Sequence, residues 1–197
     1  MYEVKFYEED HLYTINDIVV PSVSQIAAEV AEVDYSSIPR FILEEAARFG
    51  TSVHEGIEAF IRHEPWLPED PREARCVFSY IKLMQKHKWK IESIEEIVHF
   101  DDIYAGRYDQ VVRMEKGLYL LDNKTNYALD RNYLSWQLTL YAEAWERKHG
   151  EKLAGLKTVW LQKNGDGELV DVKRIDKSRA LEVIEYVKEK NKSPITF

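Results

Sequence analysis

The sequence GRYDQVVRMEKGLYLLDNKT, residues 106–125, contains two apolar runs on either side of Lys116-Gly117. Two such runs around a tight turn predict a β-hairpin. With the turn centred on that dipeptide, Asp109 lies opposite Lys124 and diagonal to Asp122. Asp122 and Lys124 are two residues apart, so they share one face of their strand. The pattern therefore predicts two carboxylates and one ammonium group on the same patch of a sheet.

This carboxylate patch has two interpretations. Neighbouring carboxylates repel each other unless a positive charge lies between them, and oxygen ligands at this spacing favour Mg²⁺ or Mn²⁺. A surface hairpin with scattered charges explains the same residues, because Asp-x-Lys is a common pattern. If the patch binds a metal, removing Asp122 is expected to abolish its chemistry without unfolding the chain, since the repulsion is relieved.

The segments outside the hairpin show the spacing of further helices and strands. Upstream, the patterns predict a small β-hairpin or meander near residues 4–20 and helices over residues 23–30, 39–50, 53–62 and 72–87. Gly50 is interpreted as a helix stop, and Ser52 with Glu55 as a capping box. Around and after the hairpin, strands are predicted over residues 91–99, 104–114, 118–125, 156–163 and 168–175, with helices over 133–148 and from Ser178 onward.

This order of elements predicts an α/β fold in one domain, residues 1–197. A strand that returns through the helix over 133–148 needs a crossover connection, so the central sheet is expected to be mixed and flanked by helices. Within the domain we expect an N-terminal hairpin and helix over 1–35, a helical part over 36–90 and a sheet core over 91–197.

Composition limits the class of protein and the kinds of site. The 197 residues are 45% hydrophobic and 12% aromatic, which is enough for a packed core and excludes general disorder. The formal charge of −8 means that any surface for nucleic acid must be local. A single cysteine, Cys76, excludes a disulfide framework and any four-cysteine metal site. Neither a membrane-spanning stretch nor a signal peptide is apparent, so a cytoplasmic location is expected.

Two predicted helices carry further polar candidates. His54 and Glu58 are spaced i, i+4 beside an apolar stripe, so they are either ligands or structural residues at the edge of the core. Gly56 lies between them and costs about 1 kcal/mol relative to alanine in a helix interior, which indicates close packing with a neighbour. Gln137 and Tyr141 repeat the i, i+4 spacing on the second helix, where ordinary packing is the alternative.

Four short motifs follow one another along the chain: Gly50-x-x-x-His54, Gly106-x-x-Asp109, Asp122-Asn123-Lys124-Thr125 and Gln137-x-x-x-Tyr141. Their order, on the predicted elements, resembles the RecB-type branch of the PD-(D/E)XK nuclease superfamily. The opening HLYTINDIVVPSVSQI, residues 11–26, resembles phage-encoded members of this group. The resemblance covers nearly the whole chain and implies a restriction-endonuclease-like core.

The resemblance also implies roles for individual residues. Ligands to Mg²⁺ or Mn²⁺ are implied at five positions: His54, Asp109, Asp122, Asn123 through its backbone carbonyl, and Glu58 as a secondary candidate. Lys124 is expected to orient or activate the attacking water, and Gln137 and Tyr141 to line the site. The side chain of Asn123 should enter an apolar layer opposite Asp122, where it needs a polar partner. No iron–sulfur cluster is expected, because the cysteines for it are missing.

The activity that this resemblance implies is metal-dependent hydrolysis of DNA. We expect an exonuclease on linear DNA in phage-type recombination or repair, with a structure-directed endonuclease or an inactive DNA-end or partner-binding module as alternatives. The implied partners are DNA, a single-strand annealing or other recombination protein, and further copies of the chain. Because the overall charge is negative, Arg40, Arg48 and Arg107 are candidates for local contacts with DNA phosphates.

Overall fold

The computed structural model describes residues 2–8 and 10–192, so the last five residues of the predicted sheet core lie outside the described part. The strands are β1 Val4–Tyr7, β2 Leu12–Ile15, β3 Ile18–Val20, β4 Lys90–Ile94, β5 Ile97–Phe100, β6 Tyr104–Arg107, β7 Gln110–Met114, β8 Gly117–Lys124, β9 Gly155–Leu161 and β10 Gly167–Val172. The helices are α1 Val23–Val30, α2 Arg40–Arg62, α3 Pro71–His87, α4 Arg131–His149 and α5 Lys177–Lys192. Among these described helices, none has the length and apolarity that crossing a membrane requires.

The central sheet has the strand order β10-β9-β8-β7-β4. Its neighbouring strands are antiparallel except for β8 and β9, which run parallel. Helix α4 connects these two strands, and such a crossover returns the chain in the same direction. The predicted mixed sheet flanked by helices is confirmed.

Alternate residues of the central strands enter two separate cores. Val111 and Leu120 pack in a cluster with residues of α1, α4 and α5. Val112 and Leu121 point to the other face and pack with residues of α2 and α3. Because both faces are covered, these strands are nearly continuous runs of apolar residues, which is why the hairpin pattern is so clear in the sequence.

The predicted helices on either side of Gly50 are one helix, α2. Gly50 is inside it, so the expected stop there and the expected capping box at residues 52–55 are wrong. The helix ends at Arg62, and the next residue, His63, takes the left-handed conformation with φ +58°. A buried stripe continues across the glycine and outweighs its low helix propensity: Phe49, Val53 and Ile57.

Two of the long predicted strands each divide between two sheets. The segment 91–99 forms β4 and β5, and the segment 104–114 forms β6 and β7. Strands β4 and β7 pair in the central sheet, whereas β5 and β6 form a separate two-stranded sheet. The breaks face each other, since the Glu95 N–H donates to the Asp109 carbonyl at 3.0 Å. Both predicted strands were therefore wrong in their continuity, and the candidate site lies at their breaks.

The N-terminal strands β1, β2 and β3 form an antiparallel meander, which confirms the predicted hairpin or meander. Its buried residues pack against Ala105 of β6, so the meander lies beside the small β5–β6 sheet. Ser22 then caps α1 in a capping box, in which its Oγ accepts from the Gln25 N–H at 3.1 Å. This meander and helix therefore support the strand that leads into Asp109.

Candidate active site

The β7–β8 hairpin places Asp109 level with Asp122. Gln110 pairs with Leu121, so the turn lies one residue earlier than predicted. That shift changes every cross-strand partner by two residues, and each side chain therefore keeps its face. Asp109 comes just before Gln110, and extending the register by one residue puts it opposite Asp122, not opposite Lys124 as expected.

His54, Glu95 and Asp109 form a cluster of metal-ligand types. One ligand atom from each residue lies within 4.8 Å of the other two. They come from α2, from the turn between β4 and β5, and from the segment just before β7, and His54 Nδ1 lies 3.5 Å from Asp109 Oδ2. A cavity of about 10 Å³ adjoins them and is also lined by Asn123 and Glu58. The Glu58 carboxylate lies 2.8 Å from Nε of Arg62, one turn further along α2.

The peptide groups of Asn123 connect two of these residues. Its N–H donates to Asp109 Oδ2 at 2.7 Å, and its carbonyl oxygen lies 2.9 Å from His54 Nε2. Because a carbonyl only accepts, Nε2 carries the proton, and Nδ1 of a neutral ring has a free lone pair toward the cluster. The Asn123 side chain is 2% exposed, and its Oδ1 has no hydrogen-bond partner among the described residues. The polar partner that the sequence analysis required is therefore missing for this oxygen among the described residues.

Glu95 is a candidate that the sequence analysis missed. It has φ +49° at the turn after β4, and its Oε2 lies 2.9 Å from Arg107 Nε. Burial and the nearby Asp109 carboxylate raise the pKa of Glu95 to about 7, against the opposite influence of Arg107. The available signal was the pair Glu95-Glu96 inside a predicted strand, because glutamate is depleted in strands.

Asp122 and Lys124 form a second charged group beside the cluster. Lys124 Nζ lies 2.8 Å from Asp122 Oδ1 and 2.7 Å from Oδ2. Burial raises the pKa of the Asp122 carboxyl, and the nearby Asp109 acts in the same direction. Burial alone would lower the pKa of Lys124, but the Asp122 and Asp109 carboxylates raise it above the usual value. Asp122 thus lies outside the group of three and faces the lysine.

Gln137 and Tyr141 lie behind the site, on α4. Gln137 Nε2 donates to Ser24 Oγ of α1 at 3.2 Å. Tyr141 packs so closely on β6 that a methyl group at Gly106 would lie 2.8 Å from its ring. Both side chains are 6% exposed, and neither lines the small cavity or the larger cleft described below. Their contacts position α1 and β6, and a direct contact with substrate stays a prediction.

The three candidate arginines each contact a carboxylate. Arg40 lies 2.7 Å from Glu44 within α2, and Arg48 lies 3.0 Å from Glu69. Arg107 holds Glu95 at the edge of the cluster, as described above. Arg40 and Arg48 thus lie in the N-terminal half of α2, whereas Arg107 is on β6. A role for these residues in DNA binding stays a prediction.

A cleft of about 740 Å³ opens beside the site. Residues of α2 form one wall, and the segments that follow β8 and β9 form the other. His54 and Asn123 line both this cleft and the small cavity, so the two spaces adjoin. Lys124 also lines the cleft and is 20% exposed at its side chain. A molecule in the cleft can therefore reach both the lysine and the cluster.

Comparisons with known proteins match this chain to a family model and to solved structures. A family model described as the PD-(D/E)XK nuclease superfamily matches residues 63–193. The crystal structure of SSO0001 has 12% identity and a TM-score of 0.47, over 89% of this chain and 77% of that chain. An alkaline exonuclease (LHK-Exo) from Laribacter hongkongensis has 8% identity and a TM-score of 0.49, over 87% of each chain. A search of curated proteins found no match.

Proposed function

The chain belongs to the PD-(D/E)XK nuclease superfamily, and from this premise we propose that it is a metal-dependent deoxyribonuclease that degrades linear DNA from an end. The observation that carries the proposal is the convergence of His54, Glu95 and Asp109 next to Lys124. These residues come from separate parts of the chain, and they meet where a large cleft opens to solvent.

The donor set of the cluster suits a hard divalent cation. Carboxylate oxygens are the usual ligands of Mg²⁺ and Mn²⁺, and a site that adds an imidazole nitrogen to carboxylates suits Mn²⁺ better than Mg²⁺. Ligands at about 2.1 Å from such an ion lie about 3–4 Å from one another. The 4.8 Å limit within the cluster and the 10 Å³ cavity are compatible with one ion. His54, Glu95 and Asp109 would hold it, and Asp122, the Asn123 carbonyl and Glu58 are proposed as further oxygen ligands. When bound, the ion supplies Lewis-acid polarisation of a phosphate and acidifies a water molecule.

Lys124 provides the protein's own positive charge at the site. Hydrolysis of a phosphodiester builds negative charge on the phosphoryl oxygens, so a preorganised cation lowers the barrier. Asp122 holds the Lys124 ammonium in place, and the exposed part of the lysine lines the cleft. In the proposed reaction Lys124 donates a hydrogen bond to a phosphoryl oxygen or to the attacking water. Gln137, Tyr141 and Arg107 position the surrounding elements.

The sequence motifs also bear on the biological setting of this nuclease. The order of the four motifs and the opening residues 11–26 support a RecB-type, phage-like exonuclease of recombination or repair. DNA is then the substrate, and a single-strand annealing protein or further copies of the chain are the proposed partners.

A cleavage assay tests the proposed activity. The purified protein is incubated with end-labelled linear DNA and closed circular DNA in Mg²⁺ or Mn²⁺, with EDTA as a control. Stepwise shortening of only the linear DNA, lost in EDTA and in Asp109→Asn, is the expected result. Glu115→Gln is the matched control, because this exposed acid lies at the far end of the same hairpin.

Two other results of this assay would redirect the proposal. Nicked or linearised circles would make the protein an endonuclease on the same fold. Intact DNA in both metals, with retained DNA binding, would make it a binding module.

A further inference from the structure

The cleft beside Lys124 has an aromatic rim that the proposed hydrolysis does not use. Tyr127 is 100% exposed and Tyr35 is 53% exposed, and both line the cleft. The wall beneath them includes Leu43, Ala46 and Ala47 of α2. Exposed aromatic rings at the mouth of an apolar cleft are available to stack on a flat ligand.

The cleft is lined by positively charged side chains and by no negatively charged side chain among the described residues. Lys124 and Lys163 line it, and no Asp or Glu is among its described lining residues, although the whole chain has a formal charge of −8. The Lys163 ammonium lies 4.5 Å from the centre of the Phe49 ring, and no carboxylate of the described residues is within 4.0 Å of it. The cleft is therefore complementary to a ligand that combines negative charge with flat apolar surface.

We propose that this cleft binds the bases of an unpaired DNA strand next to the phosphate that is cleaved. The inference rests on the proposed function, since His54 and Asn123 connect the cleft to the candidate metal cluster. Single-strand-binding proteins use the same combination, in which aromatic side chains stack on bases and basic residues follow the phosphates. Tyr35 and Tyr127 take the first role and Lys163 the second.

The size of the cleft favours separated bases over a duplex. Its volume of about 740 Å³ lies within the range of roughly 300–1,000 Å³ that is typical of small-ligand sites. Bases in a duplex are already stacked and paired, so their faces are not available to the tyrosines. The protein is therefore expected to prefer a frayed or single-stranded end to a blunt duplex end.

A binding experiment with two probes separates base contacts from phosphate contacts. The probes are a fluorescein-labelled 12-nucleotide strand and an abasic strand of equal length, with Ca²⁺ in place of Mg²⁺ or Mn²⁺. Stacking on one aromatic side chain changes affinity by between about 5-fold and 150-fold, so the normal strand should bind tighter by this factor. Tyr127→Ala and Tyr35→Ala should each reduce this preference and leave the affinity for the abasic strand unchanged.

Two control variants accompany these substitutions. Tyr127→Phe keeps the ring and should keep the preference for the normal strand. Tyr7→Ala removes another exposed tyrosine, on β1, and should change neither affinity. Equal binding of both probes by the wild type, or an unchanged preference in the Tyr35→Ala/Tyr127→Ala double variant, would overturn the inference.

Cleavage of the normal strand in Mg²⁺ or Mn²⁺ distinguishes this inference from the proposed function. Cleavage without a preference for bases contradicts the cleft proposal and supports the nuclease. A preference for bases without cleavage of any DNA supports the cleft proposal and contradicts the nuclease. Absence of both binding and cleavage contradicts both.

Discussion

At Asn123 the peptide group and the side chain have different surroundings. The N–H and carbonyl contact Asp109 and His54, so the main chain of β8 orients two candidate ligands. The side-chain Oδ1 is buried without a partner among the described residues. The backbone contacts do not depend on the identity of the side chain. A substitution at Asn123 can therefore test the side chain without removing those contacts.

Asn123→Leu should therefore keep the site and stabilise the fold. Removing a buried unpaired polar group is expected to raise the free energy of unfolding by about 1 kcal/mol. Urea denaturation measures the stability, and a Mn²⁺ titration checks the site. Weaker Mn²⁺ binding in this variant would show that the side-chain amide takes part.

Asp122 and Lys124 stabilise each other, which reverses the expectation from sequence. Repulsion between carboxylates predicted that Asp122→Ala would leave the fold intact, but the main contact of Asp122 is the lysine. We expect Asp122→Ala to lower the free energy of unfolding by about 1–3 kcal/mol, because Lys124 loses its partner. Asp122→Asn should lose less stability, and both variants should lose cleavage. An Asp122→Ala variant as stable as wild type in urea would support the repulsion argument.

Glu95 is predicted to be a metal ligand. Glu95→Gln should weaken Mn²⁺ binding by at least about 10-fold, since the loss of even a supporting residue has this effect at metal sites. Calorimetric titration measures the affinity independently of cleavage. Glu92→Gln is the matched control on the preceding strand β4, where the glutamate is exposed and pairs with Arg113. Equal Mn²⁺ affinities in both variants would remove Glu95 from the site.

At the scale of elements, α2 shows that similar glycines have different structural roles. A methyl group at Gly50 would lie 3.4 Å from Thr125 Oγ1, which is an ordinary contact. At Gly56 it would lie 2.7 Å from ring atoms of Trp66 and 2.8 Å from Val77. The close packing that the sequence predicted at Gly56 is confirmed, whereas Gly50 has no comparable neighbour.

Alanine substitutions at the two glycines should therefore have opposite effects. Gly50→Ala is expected to stabilise the fold by up to about 1 kcal/mol through helix propensity. Gly56→Ala is expected to destabilise it by about 1–3 kcal/mol through overpacking. Thermal unfolding, monitored by circular dichroism, ranks the stabilities of the two variants and the wild type. The opposite order would mean that the helix is packed differently at these points.

Two strands that the sequence predicts as continuous are each broken in the structure. Apolar patterns predicted that residues 91–99 and 104–114 were strands, and most of these residues are in strands. Local patterns did not separate β4 from β5 or β6 from β7, because apolar residues typical of strands lie on both sides of each break. The breaks depend on Glu95 in a left-handed turn and on its contacts with Asp109 and Arg107.

At the scale of the whole molecule, Cys76 is a probe of global unfolding. It is buried in the core between α3 and the central sheet, and its Sγ lies 3.4 Å from the Gln162 carbonyl. Burial raises the pKa of its thiol to about 11. At pH 8 only about one thiol in a thousand is then a thiolate, against about a quarter for an exposed cysteine with a pKa of about 8.5.

Labelling of Cys76 should accordingly follow the unfolding of the protein. Iodoacetamide at pH 8 is expected to react slowly in the native state and rapidly above the urea midpoint. The native rate should rise as the pH increases toward 11, because the thiolate fraction rises. Mass spectrometry counts the modified chains, and rapid modification without urea at pH 8 would contradict the burial of this thiol.

The order and type of most elements followed from the sequence alone, because apolar periodicity and turn residues depend on near neighbours. The mixed sheet followed too, since the helix after β8 requires a crossover. The four motifs indicated the superfamily, and the family match confirmed it.

The arrangement of the site was decided by tertiary structure. The meeting of His54, Glu95 and Asp109 depends on contacts between distant segments. The burial of the Asp122–Lys124 pair, and of the Asn123 Oδ1 that has no partner among the described residues, also depends on how those segments pack. One residue along a strand moves a side chain by about 3.3 Å and reverses its face. Register, strand breaks and helix packing must therefore be known before a set of ligands can be identified, and only the folded chain determines them.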